Sequence, residues 1–265
     1  MTRPLVADRV GEGPAVVLVH GVGLGPGTFA PVAGLLADAG RTPVVVHRPG
    51  YGRAASRGFV AIDAQVDELV DLVEELRRSG PVGGVVGVSG GATLALLLAI
   101  RLAAEGDSLP IVAHEPLVGP LAPSLHQRVR WMVDALVADD DPGAAADELM
   151  GLLAGERTWA AADPDSRRTV AERPDLVVAE ARAFAAVAPT PAQLDAVGRH
   201  GAVITTVGMR SPSPRWEAAA ILADLAGART VRIAGSGHVA QVDAARAFAR
   251  LVLLACPLES LVGAR

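Results

Sequence analysis

Val82-Gly83-Gly84-Val85-Val86-Gly87-Val88 runs directly into Ser89-Gly90-Gly91, and Ala92-Thr93-Leu94-Ala95-Leu96 follows. The first part is β-branched and apolar, the last is rich in Ala and Leu, and between them stands Gly-x-Ser-x-Gly. A strand, this pentapeptide and a helix in that order describe a nucleophile elbow, in which a sharp, strained turn lifts the serine above the sheet edge. The flanking glycines suit such a turn because a side chain there would collide with strand or helix. The other reading of the same residues is a glycine-rich turn holding a phosphate on a helix N-terminus. The rest of the chain has to separate the two.

Outward from the elbow, short β-branched runs alternate with helical patterns. The runs are Ala15 to Val19, Pro43 to Val46, Val82 to Val88, Leu109 to Ala113, Ala202 to Val207 and Arg229 to Ala234. A helical stretch from Trp216 to Ala226 separates the last two, and there is room for one strand before Ala15. Such alternation predicts βαβ units, hence an α/β protein with a mostly parallel sheet and helices on both faces. Between Pro116 and Arg199 the alternation stops. Breaks at Asp141-Pro142-Gly143, Asp163-Pro164, Arg173-Pro174 and Pro189-Thr190-Pro191 divide that text into four or five short helices. A helical cap over 117–199, inserted into a core of 1–116 and 200–265, is the organisation expected.

Composition agrees with a buried parallel sheet. The 265 residues are 51% hydrophobic but only 3% aromatic, so Val, Leu and Ala must fill the core. A net charge of -5, with no basic patch, argues against a nucleic-acid partner. The single cysteine, Cys256, excludes an intrachain disulfide and a multi-thiolate metal site. Nothing calls for a metal ion or an organic cofactor. Residues Met1 to Val10 lack the pattern of a signal peptide, and Ala92 to Ile100 is too short an apolar run to span a bilayer. A cytoplasmic protein without membrane contact is expected.

A serine hydroxyl needs a base in hydrogen-bond reach, and the base needs an orienting acceptor. Of six histidines, His238 stands in Gly235-Ser236-Gly237-His238 after the last strand, at the carboxyl edge of the sheet where open α/β folds keep their sites. His20-Gly21-Val22-Gly23 follows the first core strand. Its glycines allow the backbone to approach a reacting carbonyl, so that the Val22 and Gly90 N–H groups would form an oxyanion hole. His20 is expected to brace that loop.

Together with Arg48-Pro49-Gly50-Tyr51-Gly52-Arg53, these segments resemble the α/β-hydrolase fold superfamily over nearly the whole chain. The resemblance implies seven or eight strands, Ser89 as nucleophile, His238 as base, Val22 and Gly90 as oxyanion donors, and a lid ahead of the penultimate strand. Most relatives carry the triad acid after the strand that here ends near Val207. In this chain Gly208-Met209-Arg210-Ser211-Pro212-Ser213-Pro214 holds no carboxylate, and Ser211 stands in its place. Glu217 is nearby, but an acidic residue in the first turn of a helix needs no catalytic explanation.

Glu115, in His114-Glu115-Pro116, is the stronger candidate, because a carboxylate at the end of an apolar strand needs a partner such as a histidine N–H. Some members of the superfamily place their acid at this strand, and the His-Glu pair is similar to that of zearalenone-type lactone hydrolases. Strand alternation directs His114 away from Glu115. Trp131, Met132, Met150, Trp159 and Phe184 are candidates to line an apolar pocket under the cap, with Trp131, Met132 and Trp159 foremost. The function implied is hydrolysis of a hydrophobic ester or lactone. A thioesterase, a proton-transfer lyase and an inactive ligand-binding relative are the alternatives; epoxide and haloalkane hydrolases of this fold use aspartate where Ser89 stands.

Overall fold

The computed structural model describes residues 5–200 and 203–257. Ala202, the expected first residue of a strand, and the ends of the expected core segments, 1–4 and 258–265, lie outside them. Seven strands form one sheet: β1 (Val6–Arg9), β2 (Ala15–Val19), β3 (Thr42–His47), β4 (Val82–Val88), β5 (Ile111–His114), β6 (Val203–Gly208) and β7 (Arg229–Ile233). Their order is β1-β3-β2-β4-β5-β6-β7, with β1 antiparallel to β3 and every other pairing parallel. The run read as starting at Leu109 begins pairing at Ile111. Pro110 has no N–H to give the ladder, and contributes only its carbonyl, which accepts from Val85 N at 2.9 Å.

Side-chain alternation divides the core. Val17, Val19, Val44, Val46 and Val85 pack on one face with α2 (Ile62–Ser79), α3 (Gly90–Ala104) and α10 (Ser213–Ala226). Val16, Leu18, Val45, Val86, Val88 and Val112 face the opposite layer, built by α1 (Ala30–Asp38) and α12 (Ala245–Ala255). Each such valine or leucine, fully removed from water, contributes about 1.5–3 kcal/mol. Because both faces are covered, the strands read as continuous apolar runs.

Six helices fill the stretch between β5 and β6: α4 (Pro123–Ala138), α5 (Pro142–Ala154), α6 (Glu156–Ala160), α7 (Pro164–Glu172), α8 (Pro174–Ala185) and α9 (Pro191–His200). Proline occupies the first position of five of them, where its missing N–H costs nothing. Asp141 and Asp163 cap α5 and α7 by accepting from Ala144 N at 3.1 Å and Ser166 N at 3.0 Å. Leu136, Ala146, Met150, Trp159, Val170 and Val177 form a third apolar cluster around Leu24 and Val239 of the core. Helix α9 differs from its neighbours. Although it falls in the expected cap segment 117–199, its Leu194 and Val197 join the sheet-side cluster with Leu222 and Ala226. Among the described residues no helix is long and apolar enough to cross a membrane.

Candidate active site

The order of the strands reverses between β2 and β4, and the loops leaving these two strands carry His20 to Gly23 and Ser89. This is the switch point at which open α/β sheets form crevices. Ser89 adopts φ 55° and ψ -122°. The turn is possible only with glycine beside it: a Cβ on Gly87 would lie 2.2 Å from Gly91 O, and one on Gly91 would lie 2.1 Å from Val19 O. Among the described residues neither the Val22 nor the Gly90 N–H donates a hydrogen bond, and Val22 borders the same cavity as Ser89.

Among the described residues Glu115 is the other non-glycine residue with positive φ, at 50°. It lies one residue past the end of β5, so the alternation of the strand does not govern its side chain. The expectation that His114 points away from it is therefore corrected: His114 Nε2 lies 3.8 Å from Glu115 Oε1. His114 is otherwise held by Thr206 Oγ1 at 2.9 Å and Gly237 O at 3.3 Å. Both oxygens of the Glu115 carboxylate accept a hydrogen bond. Oε1 accepts from Gly208 N at 2.9 Å, and Oε2 accepts from His238 Nδ1 at 2.7 Å. Burial opposes its ionisation, but His114, His238 and Arg215 outweigh that and hold the carboxyl well below the usual range.

With its Nδ1 proton directed at Glu115, His238 presents an unprotonated Nε2. Burial and then the charge of Arg215 push its pKa down to about 4, against the pull of Glu115. The imidazole is thus neutral across ordinary pH, and its basicity is reduced. Its Nε2 lies 3.4 Å from Arg215 Nη2, and among the described residues it makes no hydrogen bond to Ser89. Among the described residues Ser211 Oγ, at the position where most relatives carry the acid, is buried without a partner, and Glu217 lies on α10 outside the contacts of His238.

Ser89, His238 and Arg215 open into one cavity of about 60 Å³. Its remaining walls are aliphatic, including Val129, Met132, Met150, Leu153 and Val177 from the cap. Trp131 and Trp159 do not take part. Val129, Met132 and Val133 share one arc of α4 at 100° per residue, which turns Trp131 outward to 66% exposure. Trp159 is buried inside the cap, its Nε1 donating to Asp147 at 2.9 Å. Phe184 is also buried away from the cavity, against Gly90 and 5.2 Å from the Arg48 guanidinium.

Beneath the His20 loop lies a polar cluster that local sequence reading missed. Arg48 donates from Nη1 to His20 O at 3.3 Å and Gly21 O at 3.2 Å, from Nε to Gln65 at 3.1 Å, and from Nη2 to Glu180. Tyr51 donates to Glu180 Oε2 at 2.6 Å and accepts from Gly23 N at 3.0 Å. His20 accepts from Arg48 N at 3.4 Å and meets the Tyr51 ring edge-on at 4.8 Å. Glu180 belongs to α8, so this cluster binds the cap to the loop beside Ser89. Arg48 and Tyr51 lie in the quoted turn Arg48 to Arg53, but the trace of their cap partner is a single carboxylate within Val177-Val178-Ala179-Glu180-Ala181.

The model of the alpha/beta hydrolase family matches residues 16–251. The chain belongs to that family. No curated protein matches it in sequence. Among solved structures it is similar to a thermophilic esterase from Thermogutta terrifontis, with a TM-score of 0.71, 19% identity and 94% and 91% of the two chains covered. It is similar to the enol-lactonase from Burkholderia xenovorans LB400, with a TM-score of 0.70, 19% identity and 95% of each chain covered. An esterase from Exiguobacterium antarcticum gives a TM-score of 0.72 at 15% identity, with 94% of each chain covered. Identities this low speak to the fold.

Proposed function

We propose that the protein hydrolyses a small, hydrophobic carboxylic ester or lactone through an acyl-enzyme on Ser89. The observation that carries this reading is that Ser89, on its elbow, and the unprotonated Nε2 of His238, whose Nδ1 is bonded to Glu115, face one largely aliphatic cavity. Esterase and enol-lactonase neighbours on the same fold support it. In the reaction, His238 Nε2 takes the Ser89 proton as Oγ bonds to the acyl carbon, and the Val22 and Gly90 N–H groups receive the oxyanion. The protonated imidazole passes that proton to the leaving alcohol oxygen as the C–O bond breaks. Water, deprotonated by the same nitrogen, then releases the acid and restores Ser89. Glu115 keeps the proton on Nδ1 and stabilises the imidazolium.

A cavity of about 60 Å³ equals the liquid volume of about two water molecules, so a very short acyl group suits it best. Incubation with p-nitrophenyl acetate and butyrate, and with simple lactones, tests the reading. The expected results are a burst of nitrophenol, an acyl adduct on Ser89 by intact mass, and loss of about 10⁶-fold in kcat for Ser89→Ala. Turnover without an adduct, or a Ser89→Ala variant as active as the parent, would overturn it.

A further inference from the structure

Arg215 has no place in the hydrolytic steps above, yet its position is unusual for a cation. It is 6% exposed, in the first turn of α10, and lines the cavity with Ser89 and His238. A guanidinium carries five N–H donors and is favoured where carboxylates are bound in pairs of hydrogen bonds. Arg215 finds no such partner. Nη1 donates to the main-chain carbonyl of Glu115 at 3.2 Å, Nη2 reaches only the imidazole Nε2 at 3.4 Å, and Nε is 3.7 Å from Glu115 Oε2. The Glu115 carboxylate is already occupied by Gly208 N and His238 Nδ1. A second cation, Arg128 of the cap, adds positive charge at this guanidinium.

We propose that Arg215 is an anion subsite of the acyl cavity, so that the preferred substrate is a short ester or lactone bearing a carboxylate a few bonds from its scissile carbonyl. The proposal rests on the hydrolytic reading and narrows its substrate class. The spacing follows from the contacts. During acylation Nε2 stands about 3 Å from Ser89 Oγ, and the guanidinium is 3.4 Å from that same nitrogen. A carboxylate held by Arg215 is therefore close to the reacting carbon. With aliphatic walls elsewhere, the rest of the acyl group has to be short and uncharged.

Occupancy has a further consequence. An anion on Nη2 withdraws that N–H from Nε2 and leaves the lone pair free for the Ser89 proton. It also offsets the positive charge which, with burial, depresses the basicity of His238. The charges around this imidazole are Glu115, Arg215 and His114, so Arg215 is the one that a substrate can neutralise. Binding and activation of the base are thereby coupled.

The test compares monoethyl succinate with ethyl butyrate on the wild-type enzyme by pH-stat near neutrality. We expect kcat/KM to favour the charged ester by about ten- to a hundredfold, the range of a hydrogen bond to a charged group. In Arg215→Gln the ratio of the two substrates collapses, and in Arg215→Lys, which keeps the cation but not the fork, part of it remains. Calorimetry on Ser89→Ala supplies a readout independent of turnover, in which succinate binds more tightly than butyrate. Tight succinate binding without cleavage of any ester supports the subsite and sinks the hydrolytic reading. Ester cleavage with no preference for charge, together with equal binding of succinate and butyrate, overturns the subsite and leaves the hydrolytic reading standing.

Discussion

Two buried arginines each lie beside a glutamate, and the pairs are built differently. Arg48 and Glu180 are joined directly, and Tyr51, Gln65 and two carbonyls take up the remaining capacity. Arg215 and Glu115 are also neighbours, but the carboxylate has been given to His238 and Gly208, which leaves the guanidinium facing a cavity. The first pair is closed on itself and holds the cap against the His20 loop. The second is open, and openness is what chemistry requires. The difference teaches that burial of an ion pair does not declare its task; the partners left over do.

The largest effect that separates the pairs is expected at Glu115. Glu115→Gln keeps the shape but loses the negative charge that orients and stabilises the imidazolium, and kcat should fall about 10⁴-fold, by analogy with the amide in the equivalent role. Steady-state kinetics on p-nitrophenyl butyrate check it. If Glu217→Gln shows that loss and Glu115→Gln is near wild type, the acid has been misassigned and the contrast between the pairs fails.

Next in size is the closed pair. Glu180→Gln leaves the Arg48 charge buried without its counterion, and breaking such a pair from one side costs about 3–5 kcal/mol. The loss should appear in the urea midpoint of unfolding. A stable Glu180→Gln protein with kcat as low as that of Glu115→Gln would mean that the Arg48 cluster acts in catalysis rather than in holding the cap.

What was legible in the chain had a local cause. The glycine pattern around Ser89, the apolar strand runs and the Asp-Pro helix starts each act within a few residues, and they were readable. The empty loop from Gly208 to Pro214 directed attention to Glu115 for a similar reason. What could not be read depends on how helices turn and on residues distant in sequence. Arg215 and Glu180 look like ordinary helical residues until their partners, 23 and 132 residues away, are in place. Trp131 was an attractive cavity residue by type alone, and the phase of α4 decides against it. His114 and Glu115 share a side because Glu115, one residue beyond the end of β5 and at positive φ, is outside the alternation of the strand.

The smallest expected effect per residue is one of pH, and it acts on both regions. His20, beside Arg48, and His114 and His238, beside Glu115, are all buried with pKa values lowered chiefly by that burial. The unfolded chain takes up protons near pH 6.5, where the folded chain still refuses them, so stability falls as pH drops. The slope is up to about 1.4 kcal/mol per pH unit for each histidine. For His238 it persists until about pH 4, where its folded form also titrates. Glu115, whose folded pKa is lowered, contributes stability that is present above the ordinary carboxylate range and is lost only on further acidification. Urea midpoints at pH 7, 6 and 5 measure the sum. Activity separates the regions, because in the proposed mechanism only His238 transfers protons. The acid limb of kcat/KM, which reports the free enzyme, should lie near pH 4 rather than 6.5. For a carboxylated ester the limb of kcat, which reports the complex, should lie higher, because the bound anion relieves Arg215. A kcat/KM limb at the ordinary histidine value would show that burial and Arg215 do not act on the base, and the open pair would then lose its electrostatic meaning.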